Sequence, residues 1–137
     1  MEKTLYEKLI DRELPVWPIY EDDTAFAFLD LVPTNKGHAL VVPKKPFRNI
    51  FDIPADVLGH LMSVAQKVAH AMQEVMGAEG VTLVMNNESA GGQKVFHTHI
   101  HIIPRFEGDG IFEELKHSEY EDGEKDALAE KLRDALK

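Results

Sequence analysis

The chain has 137 residues, 44% of them hydrophobic, with a net charge of -9; this supports one ordinary core rather than two and excludes general nucleic-acid binding, which needs basic surface. It contains no cysteine, which excludes disulfides, thiolate metal ligands and cysteine nucleophiles together. The opening MEKTLYEKLIDRE mixes acids with bases and has no continuous apolar run, so a protein without a membrane anchor, located in the cytoplasm, is expected.

In chain order, Leu5, Leu9 and Ile10 recur at helical spacing within residues 3–12, and Leu14-Pro15 ends that segment because a residue before proline is pushed out of the helical region. Residues 16–20 and 24–30 read as a hairpin across the turn Glu21-Asp22-Asp23, and 38–43 as a third strand stopped by Pro43 and Pro46. Asp52 is the expected N-cap of a long helix over 54–76, with Pro54 in its first turn. Leu58, Leu61, Ala65, Val68, Met72 and Val75 give that helix one apolar stripe, and Gly77 closes it. Residues 80–86 form a fourth strand and about 95–103 a fifth, after the loop NESAGGQ. Beyond the expected core of about 5–106, the tail 107–137 is acidic, with a helix at 124–136 whose Leu128, Leu132 and Leu136 share a face. One α+β domain with a five-stranded antiparallel sheet follows.

Charge is unevenly spread. Two segments contain no acid: 31–51, with Lys36, Lys44, Lys45 and Arg48, and 89–106, with Lys94 and Arg105. If they meet in space, they create a locally positive site for a small anion on an acidic body.

The chemistry concentrates in HTHIHIIPR, residues 97–105. In a strand, alternate side chains share a face at roughly 6.5 to 7 Å, so His97, His99 and His101 are expected to project together while Thr98, Ile100 and Ile102 pack beneath the long helix. Three core histidines would each need buried partners, which makes a purely structural role the weaker reading. A single metal ion is also a poor fit, since three imidazoles so spaced cannot all reach it at about 2.0 to 2.1 Å without distortion. The better reading is that one histidine attacks an electrophile while its neighbours orient it and bind an anion. Phosphorus suits that role, with protonated neighbours stabilising its oxygens. Strand geometry alone leaves open which of the three attacks.

The run HTHIHII resembles the His-φ-His-φ-His-φ-φ signature of the histidine triad (HIT) superfamily. FAFLDLVPTNKGHALVVPKK (26–45) resembles its nucleoside-binding strand, loop and His-bearing strand, and NNESAGGQKVF (86–96) its Asn-bearing strand end and glycine loop. The resemblance implies a HIT fold, with the sheet, one long packing helix and a short N-terminal helix. It further implies a homodimer, for which the Met-rich helix 54–76 is a candidate interface. The implied reaction is nucleotidyl hydrolysis or transfer at the α-phosphorus of a nucleoside phosphoramidate or a dinucleoside polyphosphate. It runs through a covalent nucleotidyl-histidine and releases a nucleoside monophosphate, with a leaning toward purines.

The same resemblance makes His99 the nucleophile, gives His97 the carbonyl that holds the His99 Nδ1 proton, puts His101 on the phosphoryl oxygens or the bridging atom, and adds His38 from the neighbouring strand. Asp30 falls where ribose hydroxyls bind; Phe28, Leu31, Leu9 and Tyr6 would line the base pocket. Asn86, Gly92 and Gln93 would contact phosphate or leaving group. Lys94 stands where several members carry Ser or Thr, which shifts leaving-group preference toward an anionic polyphosphate. Some prokaryotic members hold a structural zinc through an N-terminal Cys-x-x-Cys, a histidine after the Pro-Lys-Lys turn and the first triad histidine. Here Tyr6 to Leu9 holds no cysteine and Pro46 occupies the histidine position, so neither structural zinc nor any required cofactor is expected, although a divalent metal would suit a polyphosphate substrate. The HIIPR ending, with Arg105, resembles the dinucleoside polyphosphate branch, while the GGQ loop at 91–93 is also at home in the phosphoramidase branch, so the branch stays open. His60, His70 and His117 read as ordinary helix or surface histidines. A nucleotide-binding adaptor without catalysis, and a metal-dependent protein, are the alternatives from other classes.

Overall fold

The structure is a computed structural model that describes residues 2–112 and 115–137. Helix α1 spans Leu5–Ile10 and opens with a complete capping box: the Thr4 side chain accepts the Glu7 N–H, and the Glu7 carboxylate accepts the Thr4 N–H. It stops earlier than the proline at position 15 requires. Asp11 is its C-cap and Arg12 adopts a left-handed conformation at φ 61°, with its guanidinium bonded to the Ile10 carbonyl and to Glu21.

Strands β1 (Pro18–Glu21) and β2 (Ala25–Leu29) form the expected hairpin. Asp22 organises its turn. Its Oδ1 accepts the N–H groups of Thr24 and Ala25, while Oδ2 takes the Tyr20 hydroxyl and lies 2.6 Å from His60 Nε2. His60 therefore fastens the long helix to the hairpin. Strand β3 (Ala39–Pro43) follows, then α2 (Ala55–Met76), β4 (Gly80–Val84), β5 (Ile100–Arg105) and α3 (Glu124–Ala135). All neighbours in the sheet are antiparallel, in the order β1-β2-β3-β5-β4.

Alternation sorts the strand residues onto two faces. On one, Ala25, Ala27, Ala39, Val41, Ile100 and Ile102 pack under α2, the three alanines leaving room for the helix to approach. On the other, Phe26, Phe28, Leu40 and Val42 pack with Tyr6 and Leu9 of α1. His101, between Ile100 and Ile102, belongs to the α1 face, so the short helix and not the long one borders the chemistry.

Helix α2 buries Leu61, Val64, Ala65, Val68 and Met72. Val75, expected in the stripe, is 81% exposed; in that last turn it is Met76 that packs against the core. Gly77 closes the helix at φ 67°: its N–H donates to the Gln73 carbonyl, and the Ala78 N–H to the Met72 carbonyl. Asp52 does not cap it: Pro54 is the N-cap, and the Asp52 carboxylate accepts the N–H groups of Arg48 and Asn49 in the preceding loop. Helix α3 has the expected leucine face, but Leu128, Leu132 and Leu136 all remain exposed. Among the described residues no helix is long and apolar enough to cross a membrane.

Candidate active site

The fifth strand begins at Ile100, not near 95. Before it the chain turns aside, and Thr98 donates its N–H to the Phe47 carbonyl at 2.7 Å and its hydroxyl to the same oxygen. His97 and His99 still face α1 together, both against the Tyr6 ring, but the face is not open at His97. His97 is fully buried, with both ring nitrogens engaged: Nε2 is 2.7 Å from the Pro43 carbonyl and Nδ1 is 2.6 Å from the Thr4 hydroxyl. A carbonyl only accepts, so Nε2 carries the proton and Nδ1 accepts the Thr4 O–H. His97 is a satisfied core histidine, with the buried partners such a residue requires. Its one lone pair, on Nδ1, is taken up by the Thr4 hydroxyl.

His99 Nδ1 lies 2.7 Å from the His97 carbonyl. It must donate there, which leaves the lone pair on Nε2. Among the described residues no side-chain nitrogen or oxygen is buried without a partner, and His99 Nε2 makes no protein hydrogen bond; it therefore keeps contact with solvent. The ring is otherwise walled in, with Tyr6 edge-on at 4.9 Å and His101 at 5.0 Å between centroids.

The tautomer of His101 follows from a chain of donors. The Thr34 N–H donates to His38 Nδ1, so His38 Nε2 carries a proton and gives it to His101 Nδ1 at 2.9 Å. His101 then presents Nε2–H beside the His99 lone pair. A ring lone pair and a hydrogen-bond donor stand side by side, each oriented through its opposite nitrogen. Asp30 Oδ2 is 3.7 Å from His38 Nε2, and its Oδ1 accepts the Val32 N–H. Asp30, His38 and His101 bring three potential metal-ligand atoms within 4.8 Å of one another, but an ion there would have to displace the His38–His101 hydrogen bond.

Burial pushes His38, His97 and His99 below the usual histidine value and, together with the neighbouring His99 and His38, takes His101 down to about 4. The neighbours of His99 are thus neutral near pH 7, and His101 acts as a neutral N–H donor, not the protonated group expected from sequence. A stability effect follows. The unfolded chain titrates these groups near 6.5 and the folded chain lower, so below 6.5 the unfolded state binds more protons and acid favours unfolding. Melting temperature should fall as pH drops from about 6.5 toward 4; thermal melts that stay level across that window would contradict the burial argument.

A cleft of about 310 Å³ opens between α1, the segment 14–16, and β2–β3; it is lined by Tyr6, Leu9, Phe28, Asp30 and Leu31, with Leu5, Leu14 and Leu40 among its further walls. Tyr6 connects it to the histidines, its ring standing against His97 and His99. It is apolar except at Asp30, on a scale that suits an aromatic base with a hydroxylated sugar. The loop from Asp30 to His38 is pinned at several points. Asn35 donates to the Pro104 carbonyl and to Asp109, and Gly37, at φ 93°, has no room for a Cβ, which would meet Met76 Sδ at 2.6 Å.

The glycine loop is placed differently from the expectation at one residue. Gly92 lies against Asn86, whose carboxamide a Cβ there would meet at 3.6 Å, and Lys94 is exposed. Gln93 is buried, and its amide is fully used within the protein: Nε2 donates to the Arg48 and Val95 carbonyls, and Oε1 accepts from Glu88 N–H and Asn49 Nδ2. It serves as a clamp, joined by Arg48, which forks onto Glu88, and by Asn49, which also reaches Glu88. None of these four partners carried a sequence signal. Thr4 did, through its capping-box pattern.

The two acid-free segments do meet, as β3 and β5 are neighbours. Their cations are nevertheless partly neutralised from outside: Lys44 pairs with Glu21, Arg48 with Glu88, and Arg105 with Asp109. Arg105 is held by both Asp109 oxygens and by Thr82, at the far end of β5 from His99. Its place in HIIPR therefore reflects a structural lock.

Comparison with known proteins agrees with this geometry. The HIT domain family matches residues 11–108. An uncharacterized HIT-like protein of Methanocaldococcus jannaschii is 38% identical over 129 residues, covering 94% of this chain and 98% of its own. Purine nucleoside phosphoramidase of Escherichia coli is 36% identical over 105 residues, covering 74% of this chain and 87% of its own. The crystal structure of a HIT family protein from Bacillus anthracis has a TM-score of 0.89 at 32% identity and covers 99% of each chain. With a histidine cluster of this construction and a family match over most of its length, the chain belongs to the HIT domain family.

Proposed function

We propose that the protein hydrolyses nucleotide conjugates at the α-phosphorus, with His99 as the nucleophile. The observation that carries this reading is the His99 ring itself: Nδ1 fixed as a donor to the His97 carbonyl, Nε2 without a protein partner and in contact with solvent, and the His101 ring alongside with its Nδ1 accepting from His38. The nucleoside would occupy the apolar cleft, with Asp30 accepting from the ribose hydroxyls.

Nε2 forms a bond to phosphorus as the bond from phosphorus to the leaving nitrogen or oxygen breaks. The His101 N–H supports the phosphoryl oxygens or the departing atom. Water then adds to phosphorus, the Nε2–P bond breaks, and a nucleoside monophosphate leaves with His99 returned to its neutral form. The similarity to purine nucleoside phosphoramidase supports a purine nucleotide joined to an amine as the first substrate to test. The exposed ammonium of Lys94 in the glycine loop favours a second reading, a dinucleoside polyphosphate.

Rates with an adenosine phosphoramidate and with diadenosine tetraphosphate, measured side by side, test both. Turnover of either, with adenosine monophosphate as a product, is expected. Absence of turnover with both, while adenosine monophosphate still binds, would instead make the protein a nucleotide-binding adaptor.

A further inference from the structure

We propose that Thr4 is a positioning residue that sets one wall of the nucleoside cleft by tying α1 to His97; this rests on the nucleotide reading above. Helix α1 has six residues, far below the length at which a helix persists in water by itself. Where it sits is decided by what holds it. Its surface ion pairs, Lys3 with Asp11 and Glu13, stay within the segment and are largely exposed, so they cannot anchor it to the sheet.

Three things reach across. Just past the C-terminal end of the helix, Arg12 pairs with Glu21 of β1 and lies over the Phe26 ring, a partly exposed contact at the end away from His97. A second is the packing of Tyr6 and Leu9 on Phe26, Phe28 and Leu40, which is not directional. The third, at the N-terminal end, is the Thr4 hydroxyl, which accepts the Glu7 N–H and donates to His97 Nδ1. The hydroxyl has one proton and two lone pairs, and this arrangement uses the proton on the histidine and a lone pair on the helix. The bond joins residues 93 apart in sequence. His97 cannot move to accommodate a drifting helix, because its other nitrogen is bound to Pro43 and its carbonyl holds His99.

The consequence falls on binding more than on chemistry. Tyr6 and Leu9 line the cleft, and Tyr6 also stands edge-on to both His97 and His99. The tautomer of His99, by contrast, is set by a backbone carbonyl that does not depend on Thr4. Losing the tether loosens the base wall while the nucleophile keeps its orientation.

The test compares wild type, Thr4→Val and Thr4→Ser. Valine keeps the shape and removes both hydrogen bonds; serine keeps both. With an adenosine phosphoramidate, Thr4→Val should raise KM roughly tenfold and change kcat less than about threefold, and Thr4→Ser should restore KM. With the ribose 5-phosphoramidate that lacks a base, the same valine variant should show no such rise. A lowered melting temperature with KM unchanged, an equal rise for the abasic substrate, or a failure of serine to rescue would each overturn the tether. Failure of wild type to turn over either compound would count against the catalytic reading, and the Kd of adenosine monophosphate for the same three proteins would then decide the tether independently.

Discussion

His99→Ala is expected to lose turnover of every nucleotide substrate by roughly three orders of magnitude or more, the scale on which removing an enzyme's nucleophile acts. No neighbour can substitute. His97 has both ring nitrogens committed, and His101 accepts on Nδ1 from His38, which leaves a proton and no lone pair facing the cleft. Folding should survive, because the hydrogen bond lost is to a carbonyl at the edge of the strand and no buried donor is stranded. Steady-state rates and a circular dichroism melt on the same sample check both halves. A variant that folds and retains more than a few per cent of wild-type kcat would remove His99 from the central position.

His97→Ala should act in the opposite sense, on stability first. The ring is completely buried and links three elements: α1 through Thr4, the end of β3 through Pro43, and the entry to β5 through its own backbone. Its removal leaves a cavity the size of an imidazole and leaves the Pro43 carbonyl without its donor. The cost is about 3 to 5 kcal/mol, comparable to truncating a buried aromatic with its bonds. Urea denaturation measures it directly. A loss under about 1 kcal/mol would show that the ring is not the keystone its contacts indicate.

These two expectations separate residues that look equivalent in the sequence. The alternation of Ile100 and Ile102 against His101 was legible, since β5 is regular from Ile100 onward. The burial of His97 was not, because it depends on Thr4 and Pro43, 93 and 54 residues away, and no local period records such partners. The neutral state of His101 was equally hidden: it requires β3 beside β5 and a backbone N–H at Thr34 aimed into His38.

Helix boundaries show the same division. Gly77 ends α2 as a glycine after an apolar stripe should. Asp52, an equally good cap by type, is drawn away by the N–H groups of Arg48 and Asn49. The acid-free segments correctly marked where β3 and β5 would meet, yet their charge is met by Glu21, Glu88 and Asp109 from other parts of the chain. Composition shows where charge is placed along the chain; pairing across the fold decides how much of it a ligand meets.

The central claim is that His99 Nε2 bonds to phosphorus during turnover. Mixing the protein with an adenosine phosphoramidate, quenching within the first turnover and mapping the adduct by peptide mass spectrometry tests it most directly. An adenylyl group on the peptide containing His99, present in wild type and missing in His99→Ala, is the predicted result. Turnover with no adduct at any quench time, or an adduct carried by a different residue, would contradict it.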